Sequence, residues 1–237
     1  MTERARLFLT RPEAASRRFL AACEAARGAP VPAVLSPVMA IRPVEIHLER
    51  PPAALILTSE NGAGRAGELG LAPRVAWCVG PRTAAEARRA GLRAIEAGSD
   101  AETLLAALLT ARPAGRLLHL RGEHARGELA ESLRGAGLDV QEAVAYRQEA
   151  LEPTSAARAA LDGRDPLVAP LFSPRSAALL AAWRPRAPLH VVAMSPTVAE
   201  VARSLRPVSL SVARSPESGA MVEATLAALA SRGASPA

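Results

Sequence analysis

The chain has 237 residues, a formal net charge of +6 and 49% hydrophobic content, enough for the packed cores of one large or two small domains. All 29 of its basic residues are arginine. Without lysine, a P-loop, a Schiff-base or pyridoxal enzyme and an ordinary response-regulator receiver are excluded. Arg, Ala, Gly and Pro dominate together, so coding composition explains the bias, and most arginines are expected on solvated surface.

The positive charge fits an anionic partner, but the arginines are scattered rather than gathered in a basic tail. One Tyr, two Trp and three Phe leave too few rings for base-stacking platforms, so no nucleic-acid partner is expected. Cys23 and Cys78 lie inside apolar segments without metal-ligand spacing and read as reduced core residues. No uncharged apolar run approaches the roughly 18 residues of a membrane span, and the start, MTERARLFLTRP, is too briefly apolar for a signal peptide. These features predict a soluble, cytoplasmic protein with no membrane association.

In chain order, the predicted strands are Leu7–Thr10, Val31–Val38, Ala53–Leu57, Val75–Val79, Leu117–Leu120, Val140–Ala145, Leu167–Phe172, Leu189–Ala193 and Val208–Val212, with helical patterns between most of them. Phe19, Leu20, Cys23 and Ala26 are spaced to share a helix face. Leu104, Leu105, Leu108 and Leu109 share another, behind a capping box predicted at Ser99-x-x-Glu102. Strands alternating with helices predict an α/β fold with parallel sheets. Four junctions, Thr10-Arg11-Pro12, Gly80-Pro81, Ser173-Pro174 and Ser195-Pro196, follow strands and open helices. Such junctions lie at the carboxyl edge of a parallel sheet, where free N–H groups face an anion.

The chain repeats itself. Thr58-Ser59-Glu60 after one strand matches Phe172-Ser173-Pro174 after another, and Gly80-Pro81-Arg82-Thr83 is echoed by Ser195-Pro196-Thr197. Ser59 to Ser173 and Thr83 to Thr197 are both separated by 114 positions. Arg6–Arg11 is echoed by Arg116–Arg121 at an offset of 110. Two copies of one α/β unit follow from these offsets.

Familiar catalytic patterns are missing. His47, His119, His124 and His190 have no His-x-x-x-His spacing, so no metal is expected. Gly62-Ala63-Gly64 lacks the third glycine of a dinucleotide fingerprint, and no G-x-S-x-G elbow occurs. Glu142 and Glu149 flank Tyr146, but spacing alone does not pair them.

The segments LFLTRPEAASRRFLAACEAARG, LILTSENGAG, WCVGPRTAAEARRAGL, GRLLHLRGEHARGELAESLRGAGLDVQEAVAYRQEA, LFSPRSAALLAAW and VVAMSPTVAEVARSL together resemble, in order, the uroporphyrinogen-III synthase family. The resemblance covers most of residues 6–205. It implies two flavodoxin-like (HemD-like) α/β domains with parallel sheets, joined by a two-stranded linker, with the active site in the interdomain cleft. The domains implied are 1–37 plus 150–237, discontinuous, and 41–146, with linkers at about 38–40 and 147–149.

The implied reaction closes hydroxymethylbilane, an open tetrapyrrole with eight carboxylates, into uroporphyrinogen III in haem biosynthesis. The terminal pyrrole is inverted and water is lost, through a spirocyclic pyrrolenine in the usual account, with no cofactor. Positioning a flexible substrate needs oriented binding more than a strong nucleophile. The resemblance implies Tyr146 as the catalytic residue, assisting departure of the hydroxyl, and Arg11, Ser59, Thr83, Ser173 and Thr197 as substrate-binding residues. A tyrosine that only bridges the domains, and threonines that only cap helices, are the alternatives. Ser195 replaces the glycine of the first copy, and Glu60 follows Ser59 where a small or neutral residue is expected; it is expected to turn outward. A monomer is expected. The competing reading is a non-catalytic relative that binds a polyanionic tetrapyrrole or another small molecule.

Overall fold

A computed structural model describes residues 5–48, 50–124 and 128–231. Its strands are β1 (Arg6–Leu9), β2 (Ala33–Leu35), β3 (Met39–Pro43), β4 (Ala54–Leu57), β5 (Val75–Val79), β6 (Arg93–Gly98), β7 (Leu117–Gly122), β8 (Val140–Ala150), β9 (Leu167–Leu171), β10 (Leu189–Ala193) and β11 (Ser209–Val212). The helices are α1 (Glu13–Arg27), α2 (Glu60–Glu68), α3 (Gly80–Arg89), α4 (Ala101–Ala111), α5 (Leu129–Gly135), α6 (Ser155–Asp162), α7 (Pro174–Ala182), α8 (Pro196–Ala202) and α9 (Ser218–Ala230).

The chain divides into two compact units: Met1–Ala40 with Ala150–Ala237, and Ile41–Glu149. The first holds a five-stranded sheet in the order β11-β10-β9-β1-β2, and the second a six-stranded sheet in the order β3-β8-β7-β4-β5-β6. Pairs β1–β2, β1–β9, β9–β10 and β10–β11 are parallel, as are β4–β5, β5–β6, β4–β7 and β7–β8. Counted from β9, the first unit runs outward through β10 and β11 and then resumes on the other side with β1 and β2. Counted from β4, the second runs outward through β5 and β6 and then resumes with β7 and β8. The order is the same, and each sheet reverses direction of growth beside its first strand, at β9/β1 and β4/β7.

Fully buried runs make the central strands. β4, β9 and β10 are buried at every residue, as expected for parallel strands covered on both faces. In the second unit, Leu55, Leu57, Leu118 and Leu120 pack on one side with Ala63, Ala66, Ala84 and Ala87 of α2 and α3. Ile56 and Leu117 pack on the other with Leu104, Leu108 and Leu133 of α4 and α5. In the first unit the two faces are built around Leu167, Leu171 and Leu180, and around Leu7, Phe19, Val192 and Met221.

Several local expectations are corrected. β6 was not predicted: this edge strand exposes Arg93, Glu96 and 40% of Ile95, so it carries no buried apolar signal, while β3, which ends in Arg42-Pro43, was expected only as a strand of the linker that the resemblance implies. The β2 pairing is confined to Ala33–Leu35, inside the predicted Val31–Val38. The buried stripe of α1 is Ala15, Ser16, Phe19 and Cys23, and Ala26 is exposed beyond it. The capping box belongs to Asp100 and Thr103, not to Ser99 and Glu102. The Asp100 carboxylate accepts the Thr103 N–H at 2.8 Å, and the Thr103 hydroxyl accepts the Asp100 N–H at 3.2 Å. These bonds hold the Asp100 carboxyl below its ordinary range.

The unit boundaries fall inside β3 and at the end of β8, which are neighbours in one sheet. Leu151 N–H donates to the Val38 carbonyl and Val44 N–H to the Ala145 carbonyl, both at 3.0 Å. Arg42 Nε donates to Glu149 Oε2 at 2.6 Å, holding that carboxyl below its usual range.

Candidate functional site

A doubly wound sheet leaves a crevice beyond the carboxyl ends of the two strands where its order reverses. In the second unit those strands are β4 and β7. Beyond β4 the chain turns at Thr58 and Ser59 into α2. Ser59 is extended (φ −155°, ψ 153°) and caps the helix, its Oγ accepting the Gly62 N–H at 3.1 Å. Glu60 is the first helical residue, where its charge offsets the helix dipole.

β7 ends at Gly122, paired with Tyr146 of β8. The β7–β8 register shifts there: Arg121 faces Val144, but Gly122 faces Tyr146. The extra residue is a bulge, and it lets both Ala145 and Tyr146 join the core under α2 and α3. Tyr146 is only 8% exposed, and its Oη lies 2.9 Å from Ser59 Oγ. Two glycines make this approach possible. A Cβ on Gly62 would stand 2.9 Å from the Leu120 carbonyl oxygen, and one on Gly122 would stand 2.7 Å from Tyr146 Cε2.

One strand further out, β5 leads into α3 through Gly80, whose φ of +70° is left-handed and suits glycine. Thr83 follows in the first turn of α3 and is buried, 5% exposed. Ordinary placement of proline at the first helical position holds at Ser173-Pro174 and Ser195-Pro196. It does not hold at the other two junctions. Pro12 is itself the N-cap of α1, and Pro81 follows Gly80 within α3.

In the first unit the reversal lies between β1 and β9. Arg11 follows β1, and its guanidinium lies 4.2 Å over the ring of Phe172, which follows β9. Phe172 in turn meets Phe19 edge-on at 5.1 Å. The Ser16 hydroxyl donates to the Arg11 carbonyl at 2.9 Å. Ser173 caps α7, accepting the Ser176 N–H at 3.1 Å and sharing a 2.8 Å hydroxyl contact with Ser176 Oγ. Ser195 caps α8 in an extended conformation (φ −152°), accepting the Val198 N–H at 3.4 Å. Thr197 follows it and is exposed, unlike its counterpart Thr83. The structure thus joins Ser59 to Tyr146 directly. It sets Arg11 beside the strand end that carries Ser173, and it leaves Thr83 and Thr197 in the first turn of the neighbouring helix of each unit.

A polar cluster that spacing did not reveal sits on the α4/α5 side of the second sheet. His119 of β7 and Glu142 of β8 are register partners. Glu142 Oε1 accepts from Arg121 Nε at 3.0 Å and lies 3.5 Å from His119 Nδ1, while Glu142 Oε2 lies 3.7 Å from Arg134. His119 Nε2 lies 3.5 Å from Thr58 Oγ1. Burial, opposed by Glu142 and aided by Arg121, lowers the His119 pKa, which favours the neutral imidazole. Only the strand register pairs these residues, since they are 23 positions apart in sequence.

Among the described residues no cluster of His, Cys, Asp and Glu could hold a metal ion, and no helix is long and apolar enough to cross a membrane. A cleft of about 450 Å³ lined by Arg158, Asp162, Trp183, Arg184 and Arg186 lies at the end of α7 remote from Ser173.

The family model described as uroporphyrinogen-III synthase HemD matches residues 20–223. Among solved structures, uroporphyrinogen-III synthetase from Helicobacter pylori 26695 is 18% identical with a TM-score of 0.65, covering 84% of this chain and 93% of that one. A mutant uroporphyrinogen III synthase from the extremely thermophilic bacterium Thermus thermophilus is also 18% identical, with a TM-score of 0.50 over 96% of this chain and 99% of that one. At such identity these likenesses concern the fold. A comparison with curated proteins gave no match. The family match is of another kind, since it runs from within α1 to within α9 and takes in the β4/β7 switch point and the β9 side of the other: this chain belongs to the uroporphyrinogen-III synthase family, cyclising lyases of tetrapyrrole synthesis.

Proposed function

We propose that the chain converts hydroxymethylbilane into uroporphyrinogen III, with Tyr146 as its catalytic residue. Family membership supports the reaction, and the buried Ser59–Tyr146 contact at a switch point is the observation that carries the assignment of the phenol. The substrate loses its hydroxyl as water while a new carbon–carbon bond closes the ring. The Tyr146 O–H donates a hydrogen bond to that departing oxygen. Ring closure without guidance needs no catalyst to proceed, so the enzyme's work is to hold the chain in the arrangement that inverts the last pyrrole.

In this reading Arg11, Thr83, Ser173 and Thr197 and the N–H groups beside them receive the acetate and propionate carboxylates. Each charge-assisted bond contributes about 1.5–3 kcal/mol. The reading needs no cofactor and no metal. It also takes the protein as a cytoplasmic monomer, supported by two buried, unpaired cysteines. Sedimentation at micromolar concentration tests the monomer.

The deciding experiment supplies freshly generated hydroxymethylbilane and resolves the ring isomers of the oxidised product. Type III porphyrin formed faster than the spontaneous type I is the expected result. Type I alone, at the uncatalysed rate, overturns the proposal. Tight product binding with no acceleration would instead establish a non-catalytic tetrapyrrole-binding relative.

A further inference from the structure

We infer that Ser59 is a positioning residue for Tyr146 rather than a carboxylate ligand: its hydroxyl donates to Tyr146 Oη, turning the phenol proton outward to the substrate, and Gly122 holds the ring in that place. The inference rests on the synthase reading and deepens it.

Three observations carry it. First, Ser59 Oγ already accepts the Gly62 N–H at 3.1 Å, and Tyr146 Oη lies 2.9 Å away. A serine oxygen accepts two bonds and donates one, so with the helix N–H on one lone pair its own proton is free for Tyr146. The phenol oxygen then accepts from Ser59, and its proton points elsewhere. The opposite direction, phenol to serine, would spend the catalytic proton inside the protein.

Second, the chain of bonds Gly62 N–H to Ser59 O–H to Tyr146 O–H starts at the positive end of α2, and each link polarises the next. No proton need be transferred along it. The final O–H simply becomes a better donor to the departing hydroxyl.

Third, the space is made for it. A Cβ on Gly122 would meet Tyr146 Cε2 at 2.7 Å, Cζ at 2.8 Å and Oη at 3.0 Å, so any side chain there displaces the ring. Glycine is not required by the backbone, since Gly122 lies outside the left-handed region. The close packing of ring on backbone is what its missing Cβ provides. On the other side, Gly62 brings α2 against the Leu120 carbonyl, which sets the height of Ser59 above the sheet.

The test uses the full chain and exploits Tyr146 being its one tyrosine. Labelling with tyrosine carrying 13C at Cζ gives a single resonance that reports hydrogen bonding at Oη. Steady-state kinetics with isomer analysis run in parallel on Ser59→Ala, Ser59→Asp, Ser59→Thr and Gly122→Ala. Aspartate keeps the cap on Gly62 but cannot donate when ionised, so it separates folding from positioning. Expected for Ser59→Ala and Ser59→Asp are a moved resonance and a kcat lower by about tenfold, the scale of one hydrogen bond, with KM little changed. Ser59→Thr restores both, and Gly122→Ala moves the resonance and lowers kcat.

A KM increase with kcat intact in Ser59→Ala makes Ser59 a substrate ligand and overturns the inference. An unchanged or raised kcat in the same variant means the phenol was donating to serine, and overturns it as well. An unmoved resonance in Ser59→Asp removes the contact itself. By contrast, a parent enzyme that yields only type I product overturns the synthase reading, whatever the resonance does.

Discussion

Gly80 and Ser195 lie in equivalent turns, after β5 and after β10, but one position out of step in the 114-residue repeat, and their backbones are of opposite sign: φ is +70° at Gly80 and −152° at Ser195. The first copy enters α3 through a left-handed glycine with no side-chain cap, and the second enters α8 through an extended serine that caps. The repeat preserves the strand and the helix but solves the corner twice. Gly80→Ser is therefore expected to cost about 1–2 kcal/mol, the strain of a left-handed L-residue. Ser195→Gly loses only a cap and costs a few tenths of a kcal/mol. Urea unfolding of the two variants checks this; equal costs would mean that the Gly80 turn relaxes without strain.

Tyr146→Phe keeps the ring against Gly122 and removes only the hydroxyl. The expected loss in kcat is about 10²-fold, the lower end for a positioned proton donor. Thr83→Ala, altering a buried residue in the first turn of the neighbouring helix α3, is expected to lower turnover less. Rate measurements with isomer analysis decide the order, and the reverse order would take the catalytic role from Tyr146.

His119 makes stability depend on pH in a defined direction. Its folded pKa lies below the unfolded value near 6.5, because burial and Arg121 outweigh Glu142. Above that value both states are neutral there and nothing changes. As pH falls below it the unfolded chain takes the proton first, and stability drops by up to about 1.4 kcal/mol per pH unit. Replacement by glutamine, His119→Gln, removes this component. Denaturation at a series of pH values between 7 and 5 should give a shallower slope for the variant, and identical slopes would refute the assignment.

Burial pushes the thiols of Cys23 and Cys78 up to about 11, against ordinary values near 9. Neighbouring Glu24 adds to the effect at Cys23, while at Cys78 Arg88 opposes it and Glu96 aids it. At pH 8 about one thiol in a thousand is then ionised, so an aromatic disulfide reagent should leave the native protein untouched and titrate two thiols after denaturation. Rapid reaction of the folded protein would show that one of the two opens to solvent.

Much of this architecture could be read from sequence because parallel central strands are apolar on both faces. Ala54–Leu57, Leu167–Leu171 and Leu189–Ala193 announce themselves as runs, and Ser59 and Ser173 follow at the ends of two of them. The edge strand β6 has only part of one face to bury, and β3 ends in Arg42 and Pro43, so neither leaves a pattern. The site divides along the same line. Helix-capping serines lie on local sequence, whereas the Tyr146–Ser59 contact spans 87 positions and depends on a bulge and on two missing Cβ atoms. His119 and Glu142 needed the strand register, which no spacing rule supplies.

The first unit's sheet is closed by β1 pairing with β9, Leu7 against Val168, across about 160 residues of chain, a costly loop by the logarithmic rule. The intervening Ile41–Glu149 is a complete unit with its own sheet and cores, and its ends enter through the neighbouring strands β3 and β8. Once it folds, those ends are held close together, and the effective loop left for β1 and β9 shrinks to about 50 residues, saving about 1 kcal/mol of closure entropy. During synthesis the wholly apolar end of β1 must wait for β9, with its hydrogen-bonding edge open, until two thirds of the protein has been made. The inserted unit is thus a folding template for the outer one: a mutation that slows it would surface as aggregation of the amino-terminal strand, far from the residue changed.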